Sequence, residues 1–347
     1  MPHPPRVLSL ATANPPHVLR QEDVRDFARS IFPDATTAID RLLPVYANAG
    51  IATRYSCMPI GWYADRHGWK DRQRLFVDNA LDLGEIAARE ALDKAGLGPS
   101  DVDAVVAVST SGVATPSLDA LLIERMGLRC DVARLPIFGL GCGGGVIGLA
   151  RAADLAVRGN VLFVVVELCG LTFRRNDVSK SNIIATALFG DGAAAAVIAG
   201  GGGDDAGPTI VDSGEHTWAG TLDVMGWRVE EDGFGVLFSR DIPSLVLDRF
   251  DDALAGYLGA HDRTLADYDG FVCHPGGAKV VAALERVMGL QTGTMREART
   301  VLRDFGNMSA ATVLFVLDRV LANGARGRYL MSALGPGFTA GFLTLEI

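Results

Sequence analysis

Apolar residues recur along this 347-residue chain in short, nearly continuous runs bounded by glycine- and Asp-rich turns. That pattern marks strands buried on both faces. Such runs predict strands at 7–11, 102–108, 134–138, 161–167 and 328–332. Between them, apolar positions spaced three and four apart predict helices over 21–31, 35–49, 76–96, 146–158 and 309–322. Gly96 and Gly98 end the third helix and Gly159-Asn160 the fourth, as glycines do at helix C-termini. Strand 134–138, a glycine cluster, helix 146–158 and strand 161–167 form one βαβ unit and so call for parallel pairing.

The second half of the chain repeats this plan. Asp101-Val102-Asp103-Ala104-Val105-Val106 is echoed 166 positions later by Asp267-Tyr268-Asp269-Gly270-Phe271-Val272. The same offset carries Cys142, in its glycine turn, to Met308 beside Asn307, where Gly306-Asn307-Met308-Ser309 again opens a helix. The expectation is a duplicated α/β core with halves at 1–205 and 206–347, joined by a Gly/Asp-rich surface loop at 201–207.

Composition is globular, with 49% apolar and 21% charged residues. The net charge of −9 argues against a nucleic-acid binder. No apolar run is long enough to span a membrane, and residues 1–11 carry no cleavable signal pattern, so a cytoplasmic location is expected. The five cysteines, Cys57, Cys130, Cys142, Cys169 and Cys273, are widely spaced and make no CxxC pair, so no zinc site or other metal site is expected.

Candidate chemistry begins at Cys142, flanked by glycines at a helix entry. Free N–H groups and the helix dipole there favour a thiolate and could hold an oxyanion. A small buried residue in a glycine turn would look the same. His274 closes an apolar strand and precedes Pro275-Gly276-Gly277, the only one of six histidines placed like a catalytic base. A hydrogen-bonded structural histidine is the plainer alternative. Asn307 fits either a helix N-cap or a neutral donor to a developing enolate.

Together these segments resemble the type III polyketide synthases, the chalcone and stilbene synthase-like family of the thiolase superfamily. The resemblance runs through Thr110-Ser111-Gly112-Val113, Gly141-Cys142, Ala187-Leu188-Phe189-Gly190-Asp191-Gly192-Ala193, His274-Pro275-Gly276-Gly277, Gly306-Asn307-Met308-Ser309-Ala310 and Gly335-Pro336-Gly337-Phe338-Thr339. Ketoacyl synthase III relatives share a Cys-His-Asn trio but usually read His-Gln-Ala-Asn at the histidine. An enzyme of that kind using acyl carrier protein is one alternative, and a catalytically silent thiolase-fold scaffold is another.

The resemblance implies a thiolase-like αβαβα layered core, a homodimer, and acyl-CoA and malonyl-CoA as substrates with no further cofactor. It implies loading of an acyl starter on Cys142, decarboxylative extension assisted by His274 and Asn307, and cyclisation, to an alkylpyrone or alkylresorcinol among other products. Phe189 matches a gatekeeper phenylalanine, and Val236 stands where the family places a second one. Thr115 stands where plant members reach across the dimer with methionine, Cys169 where threonine is common, and Ser309 at another wall position. Thr110, Ser111, Glu167, Thr172, Gly335, Pro336 and Gly337 complete the implied cavity. These smaller walls point to a bulkier or longer starter, such as a fatty acyl-CoA. Of the family's basic CoA positions, which map to Arg41, Pro44 and Asn48, only Arg41 keeps its charge; Lys279 beyond Gly276 and Gly277 could compensate.

Overall fold

Two sets of strands with the same internal order build the core. The computed structural model describes residues 3–32, 42–201, 207–239 and 241–347. Arg41, most of the expected loop at 201–207 and the first part of the expected helix 35–49 lie outside the described residues. In the first half, β4 (Ala104–Val108) pairs in parallel with β5 (Ala133–Ile137) and β6 (Val161–Leu168). Antiparallel β7 (Asp191–Gly201) and β1 (His3–Ala13) follow. In the second half, β11 (Gly270–Cys273) pairs in parallel with β12 (Arg328–Gly335). Antiparallel β13 (Thr339–Glu346) and β8 (Thr209–Thr217) then follow. The order β4-β6-β7-β1 thus returns as β11-β12-β13-β8, and a single register pair, Arg6 with Thr209, links β1 to β8. Short ribbons β2 (His17–Arg20) with β3 (Thr53–Ser56), and β9 (Met225–Glu230) with β10 (Gly233–Phe238), lie outside this sheet.

Among the described residues, α1 (Gln21–Ile31) and α2 (Pro44–Asn48) precede the long α3 (Trp69–Ala95). Then come α4 (Leu118–Met126), α5 (Gly144–Leu155) and α6 (Lys180–Leu188). The second half carries α7 (Ile242–Ala260), α8 (Ala278–Val287), α9 (Arg296–Phe305) and α10 (Thr312–Ala322). The first strand set packs against α3 and α4, and the second against α7 and α9. Between the sets run α5, against β4, β6, β12 and β13, and α10, against β1, β7 and β11. The result is the expected duplicated αβαβα layering. Both central helices are apolar nearly all round, as burial between two sheets demands.

Glycine lets these central helices approach. A Cβ at Gly145 would lie 2.3 Å from the Ala310 carbonyl oxygen and 2.6 Å from a Val313 methyl. The structure departs from the sequence expectation at several element ends. Helix α3 begins at Trp69 rather than 76, because Arg72 is buried and donates to the Phe173 carbonyl at 2.9 Å, anchoring a polar turn. Strand β12 runs on to Gly335, paired there with Thr339. His216 lies inside β8, paired with Ala340.

Gly145→Ala should therefore destabilise the protein by about 1–3 kcal/mol or more, the cost of overpacking a core. Gly256→Ala, in α7 with nothing near its added methyl, should be stabilising by about 0.5–1 kcal/mol. Urea unfolding of both variants measures the difference; equal effects would refute the close-contact argument.

Candidate active site

Cys142 occupies a single 3₁₀ turn, Gly141–Gly143, between β5 and α5. Gly141 has φ +46°, and a Cβ there would sit 2.5 Å from Pro336. Its N–H donates to the Thr110 hydroxyl at 3.0 Å. The turn is thus fixed from both halves of the fold. His274 follows β11, is 4% exposed, and is held by its own N–H donating to the Ser332 carbonyl at 2.8 Å. Neither ring nitrogen has a partner among the described residues. Asn307 precedes the pseudo-equivalent 3₁₀ turn, Ser309–Ala311. Its Oδ1 accepts the Ser309 N–H at 2.8 Å, and its Nδ2 donates to the Gly276 carbonyl at 3.3 Å. The local turn role is therefore present, and it also fixes which end of the amide faces which neighbour.

All three side chains line one chamber, together with Met225, Phe238 and Phe250. The Cys142 Sγ lies 3.9 Å from Asn307 Oδ1. The helix-entry argument alone favours a thiolate, but burial wins over it: it pushes the Cys142 thiol up to about 12. The Ser309 hydroxyl opposes that shift, and the Glu167 charge adds to it. Burial also pushes the His274 imidazole down to about 3. A neutral imidazole with free ring nitrogens can accept a proton from a neutral thiol as the sulfur begins to react.

Beyond Cys142 the space continues between Thr110, Cys169, Phe189, Val236, Ser309 and Pro336, with Trp227 on the same wall. Thr172, Cys169, Phe189 and Val236 border a further cavity. The structure places Ser111 and Glu167 behind the wall, both buried. Gly335 and Gly337 flank the lining Pro336, with Gly335 packed against the Leu140 and Gly143 backbones. Thr115 is exposed and away from these cavities. Gly276 lines the catalytic chamber, whereas exposed Lys279 and its neighbour Gly277 do not.

Trp227 was missed by sequence reasoning. Its Nε1 donates to the Thr110 carbonyl at 2.9 Å, and its ring packs 6.3 Å from Phe189 and 5.9 Å from Phe234. A tryptophan inside one strand of a short hairpin gives no local sign of facing a cavity whose opposite wall comes from the first half of the chain. Among the described residues no helix is long and apolar enough to cross a membrane.

Chalcone and stilbene synthase family models match nearly the whole chain, the N-terminal domain over residues 3–203 and the C-terminal domain over 210–345. A 1,3,6,8-tetrahydroxynaphthalene synthase of Streptomyces peucetius is 38% identical, covering 98% of this chain and 92% of its own. A phloroglucinol synthase of Pseudomonas fluorescens is 29% identical, covering 94% of each chain. The crystal structure of 1,3,6,8-tetrahydroxynaphthalene synthase from Streptomyces coelicolor, a bacterial type III polyketide synthase, superposes with a TM-score of 0.93 at 29% identity. It covers 98% of this chain and 99% of that one.

Glu167 is a fully buried carboxyl behind the wall of the space beside Cys142. Its Oε2 accepts from the Ser111 hydroxyl at 2.7 Å and from the Thr110 and Ser111 N–H groups at 3.1 and 3.0 Å; Oε1 has no partner among the described residues. Burial outweighs these bonds and raises its pKa to about 7. A carboxyl raised on folding favours the native state at low pH and loses that advantage as pH rises from about 4.5 to about 7. The loss amounts to roughly 3 kcal/mol, at about 1.4 kcal/mol per unit. Glu167→Gln keeps an acceptor and removes the titration. Its urea stability should fall less than that of the wild-type protein between pH 5 and pH 8; parallel curves would refute the raised carboxyl.

Proposed function

From the premise that the chain belongs to the chalcone and stilbene synthase family of type III polyketide synthases, decarboxylating acyltransferases that use CoA thioesters, we propose that Cys142 carries the acyl group and that His274 and Asn307 run the condensation. The observation that carries this assignment is the meeting of three side chains from two halves of the fold on one chamber.

The chemistry follows from the groups present. As the Cys142 sulfur attacks the starter thioester carbonyl, its proton passes to neutral His274, and the imidazolium returns it to the departing CoA sulfur. Malonyl-CoA then enters with its thioester oxygen toward His274 and the Asn307 amide. Loss of CO2 leaves an enolate whose negative charge neutral Asn307 stabilises, where an aspartate would repel it. The enolate carbon attacks the Cys142 thioester and expels the thiolate. Repetition and cyclisation give the polyketide. Met225, Phe238, Phe250 and Leu334 make much of the chamber wall apolar, so a carbanion there meets few proton donors.

We read the chain as a cytoplasmic homodimer. Five free cysteines suit a reducing compartment, and Val113 and Phe138 present apolar side chains to solvent on loops near Thr115 and Cys142. Lys279, exposed on the first turn of α8 just beyond Gly276 and Gly277, would meet the CoA phosphates, with Arg41 as the second cation.

Incubation with an acyl-CoA should add one acyl mass to the protein, and Cys142→Ala should abolish both that adduct and product from malonyl-CoA. An adduct persisting in Cys142→Ala would refute the nucleophile. Asn307→Ala should still load but condense about 10²–10³-fold more slowly. His274→Ala removes the proton acceptor beside a thiol that burial pushes up. Its rate of iodoacetamide alkylation at Cys142 should shift to more alkaline pH than in the wild-type protein; superimposable profiles would show that His274 does not govern the thiol.

A further inference from the structure

The space beside Cys142 is bounded in part by two pieces of chain that no sheet joins. One is the β9–β10 ribbon, which supplies Gly226, Trp227, Val236 and Leu237. The other is the 3₁₀ turn Cys169–Thr172, which supplies Cys169. Cys169 and Val236 also border, with Val24 and Phe27 of α1, the further cavity beneath that helix. The width of these spaces depends on what fixes the ribbon against the turn.

Arg72, near the start of α3 and 3% exposed, reaches both. Its Nη1 donates to the Leu171 and Phe173 carbonyls at 3.3 and 2.9 Å, and its Nη2 donates to the Asp232 carbonyl, in the turn between β9 and β10. Only its Nε is without a partner among the described residues. Arg174, just beyond the 3₁₀ turn, donates to the Asp232 carboxylate at 2.7 Å and to the Asp177 carboxylate at 3.2 Å. Asp232 thus gives its carbonyl to one cation and its carboxylate to another. Burial lowers the Arg72 pKa, and the Asp232 charge opposes that shift. The ribbon is shaped to lie on the two guanidinium groups. A Cβ at Gly233 would come within 2.9 Å of Arg72 Nη2 and of the Trp69 ring, and one at Gly235 within 2.9 Å of Arg174 Nη1. Neither arginine lines the catalytic chamber or the space beside Cys142.

We infer that Arg72 and Asp232 are positioning residues for chain extension: their clamp fixes the ribbon over the space in which the acyl chain on Cys142 grows, and keeps that space closed to water. The inference rests on Cys142 as the acyl carrier. A planar guanidinium holds three carbonyls in one geometry, which an ammonium on a flexible stem does not. With the clamp released, the ribbon moves and water reaches the thioester. Water then adds to the Cys142 thioester carbonyl, the carbon–sulfur bond breaks, the chain leaves as a carboxylic acid and the sulfur regains its proton.

The test compares the wild-type protein, Arg72→Lys and Asp232→Ala, each full length, with acetyl-, hexanoyl- and benzoyl-CoA as starters and malonyl-CoA as extender. Hydrogen exchange at residues 225–238 should quicken about fivefold in Asp232→Ala, which loses one partly exposed ion pair. In Arg72→Lys it should quicken about tenfold or more. Exchange in β6 and the rate of acyl loading on Cys142 should stay at wild-type values in both, which a generally damaged fold would not show. The ratio of prematurely released acid to fully extended product should rise in both variants, more in Arg72→Lys. The double variant should release little more acid than Arg72→Lys, because both changes free the same ribbon. The half-exposed Asp232 side chain makes Asp232→Ala a test of the clamp that does not depend on how Arg72→Lys folds. Unchanged ribbon exchange, unchanged product ratios despite faster exchange, or a fall in loading and all products alike would overturn the inference. A wild-type protein that forms no acyl adduct at Cys142 with any of the starters would instead overturn the proposed function beneath it.

Discussion

The structure depends on one contact, the approach of α5 and α10 at the centre of the molecule. Gly145 sits so close to the Ala310 carbonyl that no side chain fits between them. Each helix is entered through a 3₁₀ turn, Gly141–Gly143 in one half and Ser309–Ala311 in the other. Because the helices touch near their starts, the turns touch as well. Cys142 and Asn307, 165 positions apart in sequence, are thereby brought within 3.9 Å. A bulkier helix pair would separate the sulfur from the amide before any question of chemistry arose.

The second theme is a polar group network kept neutral or internally satisfied in a dry place. Thr110 connects it. Its N–H serves Glu167, its hydroxyl accepts from Gly141 beside the nucleophile, and its carbonyl accepts from Trp227 on the cavity wall. Burial drives Cys142, His274 and Glu167 alike toward their uncharged forms. At Cys142 and His274 charge therefore arises mainly when a reacting group creates it. That is the condition under which a few fixed dipoles have their largest effect on a developing oxyanion or enolate.

Much of this was legible in the sequence because the signals were local and repeated. The helix at 21–31 and the buried runs of β4 and β6 follow from periodicity alone. The duplication follows from an offset that holds across strand, turn and helix together, and it leads from Cys142 to Met308, beside Asn307. What escaped was decided by contacts between distant segments. The early start of α3 is fixed by Arg72 reaching the Phe173 carbonyl, which no helix propensity encodes. The placing of Trp227 in the cavity wall depends on how the β9–β10 ribbon folds over the other half. The burial that opposes a thiolate at Cys142 is hidden for a related reason. A helix entry can be seen in a glycine pattern, whereas the extent of burial around a sulfur cannot.

Phe189 shows how tightly these parts constrain one another. Arg54 and Gln21 cap the end of α6: Arg54 donates to the Phe189 carbonyl at 3.0 Å, and both side chains donate to the Ala187 carbonyl. One residue on, Gly190 N–H donates to the Asn307 carbonyl at 3.0 Å, and Asn307 N–H donates to the Leu188 carbonyl at 2.8 Å. The backbone that carries the Phe189 ring is thus the backbone that positions Asn307. If it moved to widen the path toward the space beneath α1, the amide would move with it and leave Cys142. The boundary at Phe189 can therefore be altered without disturbing the reacting groups only by turning the ring or by changing another residue of the wall. Val236 lines the same two spaces as Phe189 and lies on a ribbon outside the main sheet, where a change of size alters the passage and leaves the bridge at Asn307 in place.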